Sequence, residues 1–87
     1  MIHVLIRHKV ADFTKWKVMY DSHAGKRQEA GFKEVKLLRS IDNPNEVFLV
    51  FIVPDLKMAQ AFVGSPDLQE TMKKAGVIDK PDVYFLN

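Results

Sequence analysis

The sequence predicts an α+β fold: a four-stranded antiparallel sheet with helices on one face. Three observations carry this. Four apolar or alternating stretches read as strands, and two stretches of helical spacing interrupt them in the order βαββαβ. Each helical stretch opens on a residue able to cap free backbone N–H groups and closes on a glycine. A dense turn signal, Asp42-Asn43-Pro44-Asn45, joins the two middle strands directly.

The first strand covers Met1 to Val10. Ile2, Val4, Ile6, His8 and Val10 share one face; His3, Leu5, Arg7 and Lys9 share the other. Asp12 stands at the N-cap of a single amphipathic helix that runs to Gly31, a residue suited to the left-handed position after a helix end. Phe32 to Ile41 is the second strand, with Lys33, Val35, Leu37, Arg39 and Ile41 on one face. Glu46 to Val53 is the third and most apolar. Val47, Leu49, Phe51 and Val53 face one way and Phe48, Val50 and Ile52 the other, so both faces call for cover.

Pro54-Asp55 opens the second helical region, where Leu56, Ala59, Phe62 and Val63 keep helical spacing up to Gly64. Ser65-Pro66 restarts it with a cap and a proline at the first helical position. Leu68, Met72 and Ala75 form its buried stripe and Gly76 stops it. Val77 to Asp82 is a loop, and Val83 to Leu86 is the last strand. Right-handed crossovers turn this order into the split β-α-β, ferredoxin-like arrangement, with the first and third strands at the centre. Residues 1–87 form one domain, since so short a chain has no room for a second core.

Composition narrows the function classes. The chain is 47% hydrophobic and 28% charged, which is ordinary for a folded domain. A net charge of +2, from 13 basic and 11 acidic residues spread along the chain, is too weak for a nucleic-acid or membrane-surface footprint. The third strand also lacks the basic residue and glycines of an RNA-recognition strand. No apolar run approaches a membrane span or a signal sequence, so a cytoplasmic location is expected. With no cysteine, thiolate metal sites and thiol nucleophiles are excluded. His3 and His8 face opposite ways on their strand and cannot share a metal, and neither a metal nor a cofactor is expected.

The first helix carries the candidate site. Phe13, Trp16, Tyr20, His23, Arg27 and Ala30 are spaced 3, 4, 3, 4, 3, which sets them in one line facing the sheet. Lys15, Lys17, Ser22, Lys26 and Glu29 read as the solvated side. His23 is the expected acid/base group, since imidazole moves protons near neutral pH. Arg27 is the expected clamp for an anionic or enolate oxygen, through its fork of donors. Trp16 and Tyr20 supply flat apolar walls, joined by His8 if the even face of the first strand lies under the helices. Phe62 and Met72 are the expected ligand contacts from the second helical region. The plain reading stands beside this: Phe13, Trp16 and Tyr20 as core, and Arg27 as a stem over the sheet edge or a partner of Glu34 or Glu46.

Two helical regions cover only one face of a sheet, and the other face keeps an apolar row. A second copy of the chain, packed sheet against sheet, is the expected cover.

The chain resembles the dimeric α/β-barrel superfamily, the small proteins similar to antibiotic-biosynthesis monooxygenases, and among them short bacterial cyclase-like members. The resemblance rests on Asp12-Phe13-x-x-Trp16-Lys17 and Tyr20-Asp21-x-His23 with Arg27 and Gly31, then Asp42-Asn43-Pro44-Asn45-Glu46-Val47. It continues in Asp55-Leu56-x-x-Ala59-x-x-Phe62, Ser65-Pro66-x-Leu68, Met72, Ala75-Gly76-Val77 and Tyr84-Phe85-Leu86. It implies a homodimer whose sheets form a shared barrel, with a cavity in each subunit between helices and sheet. It also implies a hydrophobic, oxygen-bearing ligand, polyketide-like or quinone-like, handled without a cofactor. Monooxygenases of this type carry polar and tryptophan residues elsewhere in the fold, whereas the only tryptophan here, Trp16, is on the first helix, so the cavity is what carries over from the resemblance and a monooxygenase- or cyclase-like activity is one of its implications. A non-catalytic ligand-binding dimer and a stress-associated structural dimer are the alternatives.

Overall fold

The computed structural model describes residues 1–87, in eight elements: β1 (Ile2–Lys9), α1 (Phe13–Ser22), α2 (Ala24–Glu29), β2 (Lys33–Arg39), β3 (Glu46–Val53), α3 (Leu56–Val63), α4 (Pro66–Lys74) and β4 (Asp82–Leu86). The strands form one antiparallel sheet in the order β2-β3-β1-β4, so β1 and β3 are central, as their apolar content requires. In the β1–β3 register Val4 lies opposite Phe51, Ile6 opposite Leu49 and His8 opposite Val47. These residues share the face under the helices, and Val4, His8, Val47, Leu49 and Phe51 are buried there. The even face of β1 and the odd face of β3 are therefore the inner ones.

The caps are the ones the sequence marks. Asp12, Asp55 and Ser65 accept from the backbone N–H groups of Lys15, Met58 and Leu68, and Pro66 occupies the first turn of α4. Gly31 and Gly76 take positive φ, 83° and 89°, after α2 and α4. Phe32 N–H reaches the Arg27 carbonyl, and Val77 N–H the Met72 carbonyl, closing each helix with the paired bonds of a Schellman turn. The Asn45 side chain accepts from Phe13 N–H at 3.0 Å and so ties the start of α1 to the β2–β3 turn.

Two expectations need correction. The helix read as continuous from Asp12 to Gly31 breaks at His23, which caps α1 and precedes α2. The cause is local. The Met19 carbonyl, which a continuing helix would offer to His23 N–H, accepts instead from the Ser22 hydroxyl (2.7 Å) and the His23 ring (2.9 Å). His23 N–H turns to the Tyr20 carbonyl, a tighter bond that ends the α geometry. The second correction concerns β2, where a register shift between Glu34 and Lys36 breaks the alternation. Glu34, Leu37 and Arg39 take the inner side, Lys33 faces away, Val35 is 44% exposed, and Ile41 lies beyond the strand, fully exposed.

The outer face of the sheet is uncovered. Leu5, Phe48, Val50 and Ile52 are half-buried on it, and Leu38, Tyr84 and Leu86 are exposed. At one end Arg7 pairs with Glu46 (2.9 Å), Asp79 (3.0 Å) and Asp82 (2.8 Å), joining β1, β3, β4 and the loop before β4. The hydrogen bonds to Asp82 and Asp79 hold this guanidinium above its ordinary value, against burial. No helix is long and apolar enough to cross a membrane.

Candidate functional site

A cavity of about 410 Å³ opens between the inner sheet face and the two helical arms. Its floor comes from β1 and β3, through Ile6, His8, Leu49 and Phe51. One wall is α1 and α2, with Trp16, Met19, Tyr20, His23 and Arg27; the other is α3 and α4, with Phe62, Leu68 and Met72. The volume lies in the range of small-molecule sites, and the lining is mainly apolar with a few polar groups, as such sites are.

His8 is the unusual group. It is 2% exposed, and neither ring nitrogen has a hydrogen-bond partner. Trp16 lies against it at 5.5 Å between ring centroids. Burial pushes its imidazole down to about 4, outweighing the pull of Asp79 in the other direction. It is therefore neutral at pH 7, with one nitrogen to donate and one to accept. A buried polar group left unpaired costs roughly 1–3 kcal/mol, and both His8 nitrogens are sealed beneath the cavity floor.

The first helical wall is an aromatic stack. Trp16 and Tyr20 stand 4.8 Å apart with planes 22° from parallel, and the Arg27 guanidinium covers the other face of Tyr20 at 3.6 Å. Tyr20 donates its hydroxyl to Glu34 at 2.7 Å. Burial, together with that bond, holds the phenol well above its ordinary value and keeps it protonated. Arg27 donates at 2.6 Å to the Tyr20 carbonyl, which also accepts from His23 N–H at the end of α1. Its neighbours are thus Tyr20 atoms. Glu34 serves the phenol and Glu46 serves Arg7, so neither is the arginine's partner.

His23 sits at the break between α1 and α2. Its Nδ1 faces the Met19 carbonyl, and a carbonyl only accepts, so Nδ1 carries the proton and Nε2 keeps the lone pair. A ring held by one nitrogen and basic at the other is what proton abstraction needs.

All seven residues singled out from the sequence, His8, Trp16, Tyr20, His23, Arg27, Phe62 and Met72, line this one cavity. Several other lining residues carry no clear signal in the sequence. Leu49 and Phe51 pass as ordinary strand residues until the inner face of β3 is known. Met19 has a signal, since it falls three residues after Trp16 and four before His23. Lys26 and Glu29, on the solvated side of the expected helix, are exposed and still form part of the rim.

No family model matches the sequence, and no curated protein matches it. Solved structures do match. A protein provisionally named antibiotic biosynthesis monooxygenase from Bordetella bronchiseptica superposes with a TM-score of 0.78 at 22% identity, over 99% of this chain and 94% of that one. A variant of SnoaB, a cofactor-independent oxygenase from Streptomyces nogalater, gives 0.73 at 14% identity, over 99% and 90% of the two chains. A conserved protein from Methanosarcina mazei Go1 gives 0.74 at 11%, over 99% and 90%. At such identities the likeness establishes the fold. The chain shares the ferredoxin-like architecture of antibiotic-biosynthesis-monooxygenase-like proteins.

Proposed function

We propose that the cavity binds a small, flat, oxygen-bearing hydrophobic molecule and that the chain moves a proton on it, as a cofactor-independent oxygenase, cyclase or isomerase would. One observation carries this reading: an apolar cavity of about 410 Å³ with a fully buried, unpartnered imidazole, His8, at its floor. A small shift of the side chains packed over His8 on ligand entry would bring one of its sealed nitrogens to a ligand hydroxyl or carbonyl. Trp16 and the edge of the Tyr20 ring wall the ligand's flat body, Phe62 and Met72 close over it, and Arg27 clamps it at the wall. His23, through Nε2, takes the proton, since its other nitrogen is held by the Met19 carbonyl. The fold shared with SnoaB supports chemistry of this kind. A second copy of the chain is proposed to cover the outer sheet face.

Trp16 is the only tryptophan and lines the cavity, so its emission reports occupancy. Titration with 2-naphthol and 1,4-naphthoquinone is expected to quench it. His8→Phe keeps an aromatic ring and removes both nitrogens, and is expected to weaken binding about tenfold, the worth of one hydrogen bond. Equal affinity in that variant would overturn the role of His8. His23→Ala is expected to abolish turnover of hydroxyaromatic probes, followed by oxygen uptake and product analysis, with binding within a few-fold of the parent. Unchanged turnover would reject His23 as the base.

A non-catalytic ligand binder is the second reading, and one observation favours it. The polar groups of Tyr20 and one arm of Arg27 are already satisfied within the chain. That reading predicts quenching and thermal stabilisation by the same probes with no turnover in the parent protein.

A further inference from the structure

Resting on the binding reading above, we infer that the ligand is an acid: a flat apolar body bearing an ionised oxygen group, carboxylate or phenolate, that docks on Arg27. The two half-buried arginines, Arg7 and Arg27, have sharply different surroundings. Arg7, on the outer sheet face, has three carboxylates within 3.0 Å. Arg27, in the cavity wall, is paired with no carboxylate at all. Glu34 lies close by and keeps its charge, but it accepts from the Tyr20 hydroxyl and makes no ion pair with Arg27. A partly buried guanidinium without an ion-pair partner is uncommon in a folded chain and is an arrangement that can recognise anions.

The geometry leaves the fork available. Of the five N–H donors of the guanidinium, one goes to the Tyr20 carbonyl. Stacking on the Tyr20 ring uses the flat face and none of the edge donors. Nε and Nη2 are not sealed in apolar packing, because the buried side-chain polar atoms without partners are both on His8. They face open space, where an oxyanion would replace water. Stacking also holds the guanidinium plane in place, so a bidentate contact costs little further ordering.

Neighbouring charge agrees with this. Lys26, on the same rim, is likewise paired with no carboxylate, and His23 adds a third nitrogen group nearby. The rim acids, Glu29 and Asp67, are exposed, so water screens them more than it screens Arg27. The ionised group then suits Arg27 at the wall, and the apolar body suits the floor of Ile6, Leu49 and Phe51. Tyr20 and Arg27 also line a second cavity of about 280 Å³ on their far side. Asp21 and Glu34 line that second space, so the anion is expected on the side of Arg27 that faces the larger cavity.

Calorimetric titration with 2-naphthoate and 2-naphthamide, alike in shape and different in charge, tests this. The acid is expected to bind at least tenfold tighter than the amide. Arg27→Gln is expected to reduce that preference to near unity, and Arg27→Lys, which keeps the charge and loses the fork, to keep part of it. Equal affinity for acid and amide in the parent would overturn the inference and leave the cavity reading standing. A preference that survives Arg27→Gln intact would overturn the assignment to Arg27. Binding of neither probe would overturn this inference and the binding reading together.

Discussion

His8 shows what one residue can do when its strand alternation is obeyed without regard to its chemistry. It occupies an even position of β1, so it points inward as Val4 and Ile6 do. The fold must then bury an imidazole, and it does so without giving either nitrogen a partner. A pH dependence follows. His8 has an ordinary value of 6.5 and is lowered to about 4 in the fold. Between those values the unfolded chain binds a proton that the folded chain refuses. The stability contribution is complete above pH 6.5 and is lost as pH falls toward 4, at about 1.4 kcal/mol per unit. In urea titrations His8→Phe is expected to be at least as stable as the parent at pH 7. The gap in its favour is expected to widen by about 2 kcal/mol at pH 5. Parallel pH profiles for the two proteins would show that His8 is not buried in its neutral form.

At the scale of elements, the two halves of the predicted first helix have separate duties. α1 fastens to the sheet through Phe13, Trp16 and Tyr20, and Arg39 covers the Phe13 ring at 3.8 Å. α2 is only six residues long and carries Lys26 and Arg27 to the cavity rim. Its end depends on Gly31. A Cβ there would lie 2.9 Å from the Pro54 ring and 3.2 Å from Met58, at a backbone φ of 83° that side chains disfavour. Gly31→Ala is expected to cost about 2 kcal/mol or more in chemical unfolding. Gly25 is the contrast: it lies within α2, exposed, with open space where a methyl would stand and no positive φ. Gly25→Ala is expected to stabilise by up to about 1 kcal/mol. Equal effects at the two sites would refute the Schellman closure of α2.

On the scale of the molecule, the sheet has one finished face and one unfinished. The inner face holds the core and the cavity. The outer face presents Leu5, Phe48, Val50 and Ile52 in two central strands, flanked by Leu38, Tyr84 and Leu86. An apolar surface of this kind is unusual on a soluble monomer, and we propose that a second copy covers it. Analytical ultracentrifugation is expected to give about twice the mass of one chain. Val50→Lys, which sets a charge in the middle of β3, is expected to shift the mass to that of one chain. A parent protein that sediments as a monomer at micromolar concentration would overturn the proposal.

Much of this was legible in the chain because it depends on near neighbours. The four strands, the caps at Asp12, Asp55 and Ser65, the closing glycines at 31 and 76 and the turn at 42–45 each follow from a few adjacent residues and their backbone preferences. The strand order follows too, since chirality allows few ways to connect βαββαβ. The line from Trp16 to Arg27 was visible as helical spacing, and it does border the cavity. The break at His23 was not visible, because it turns on three groups competing for the Met19 carbonyl, a contest decided by geometry rather than by residue type. The shift in β2 was hidden for the same reason: register is settled between two strands. Only tertiary structure decided which sheet face lies inside, and with it the burial of His8. It alone gave Glu34 to Tyr20 and Glu46 to Arg7, leaving Arg27 without an ion pair. Local sequence sets backbone form within a few residues. Which side chains meet depends on packing between elements far apart in the chain, and no short stretch encodes that.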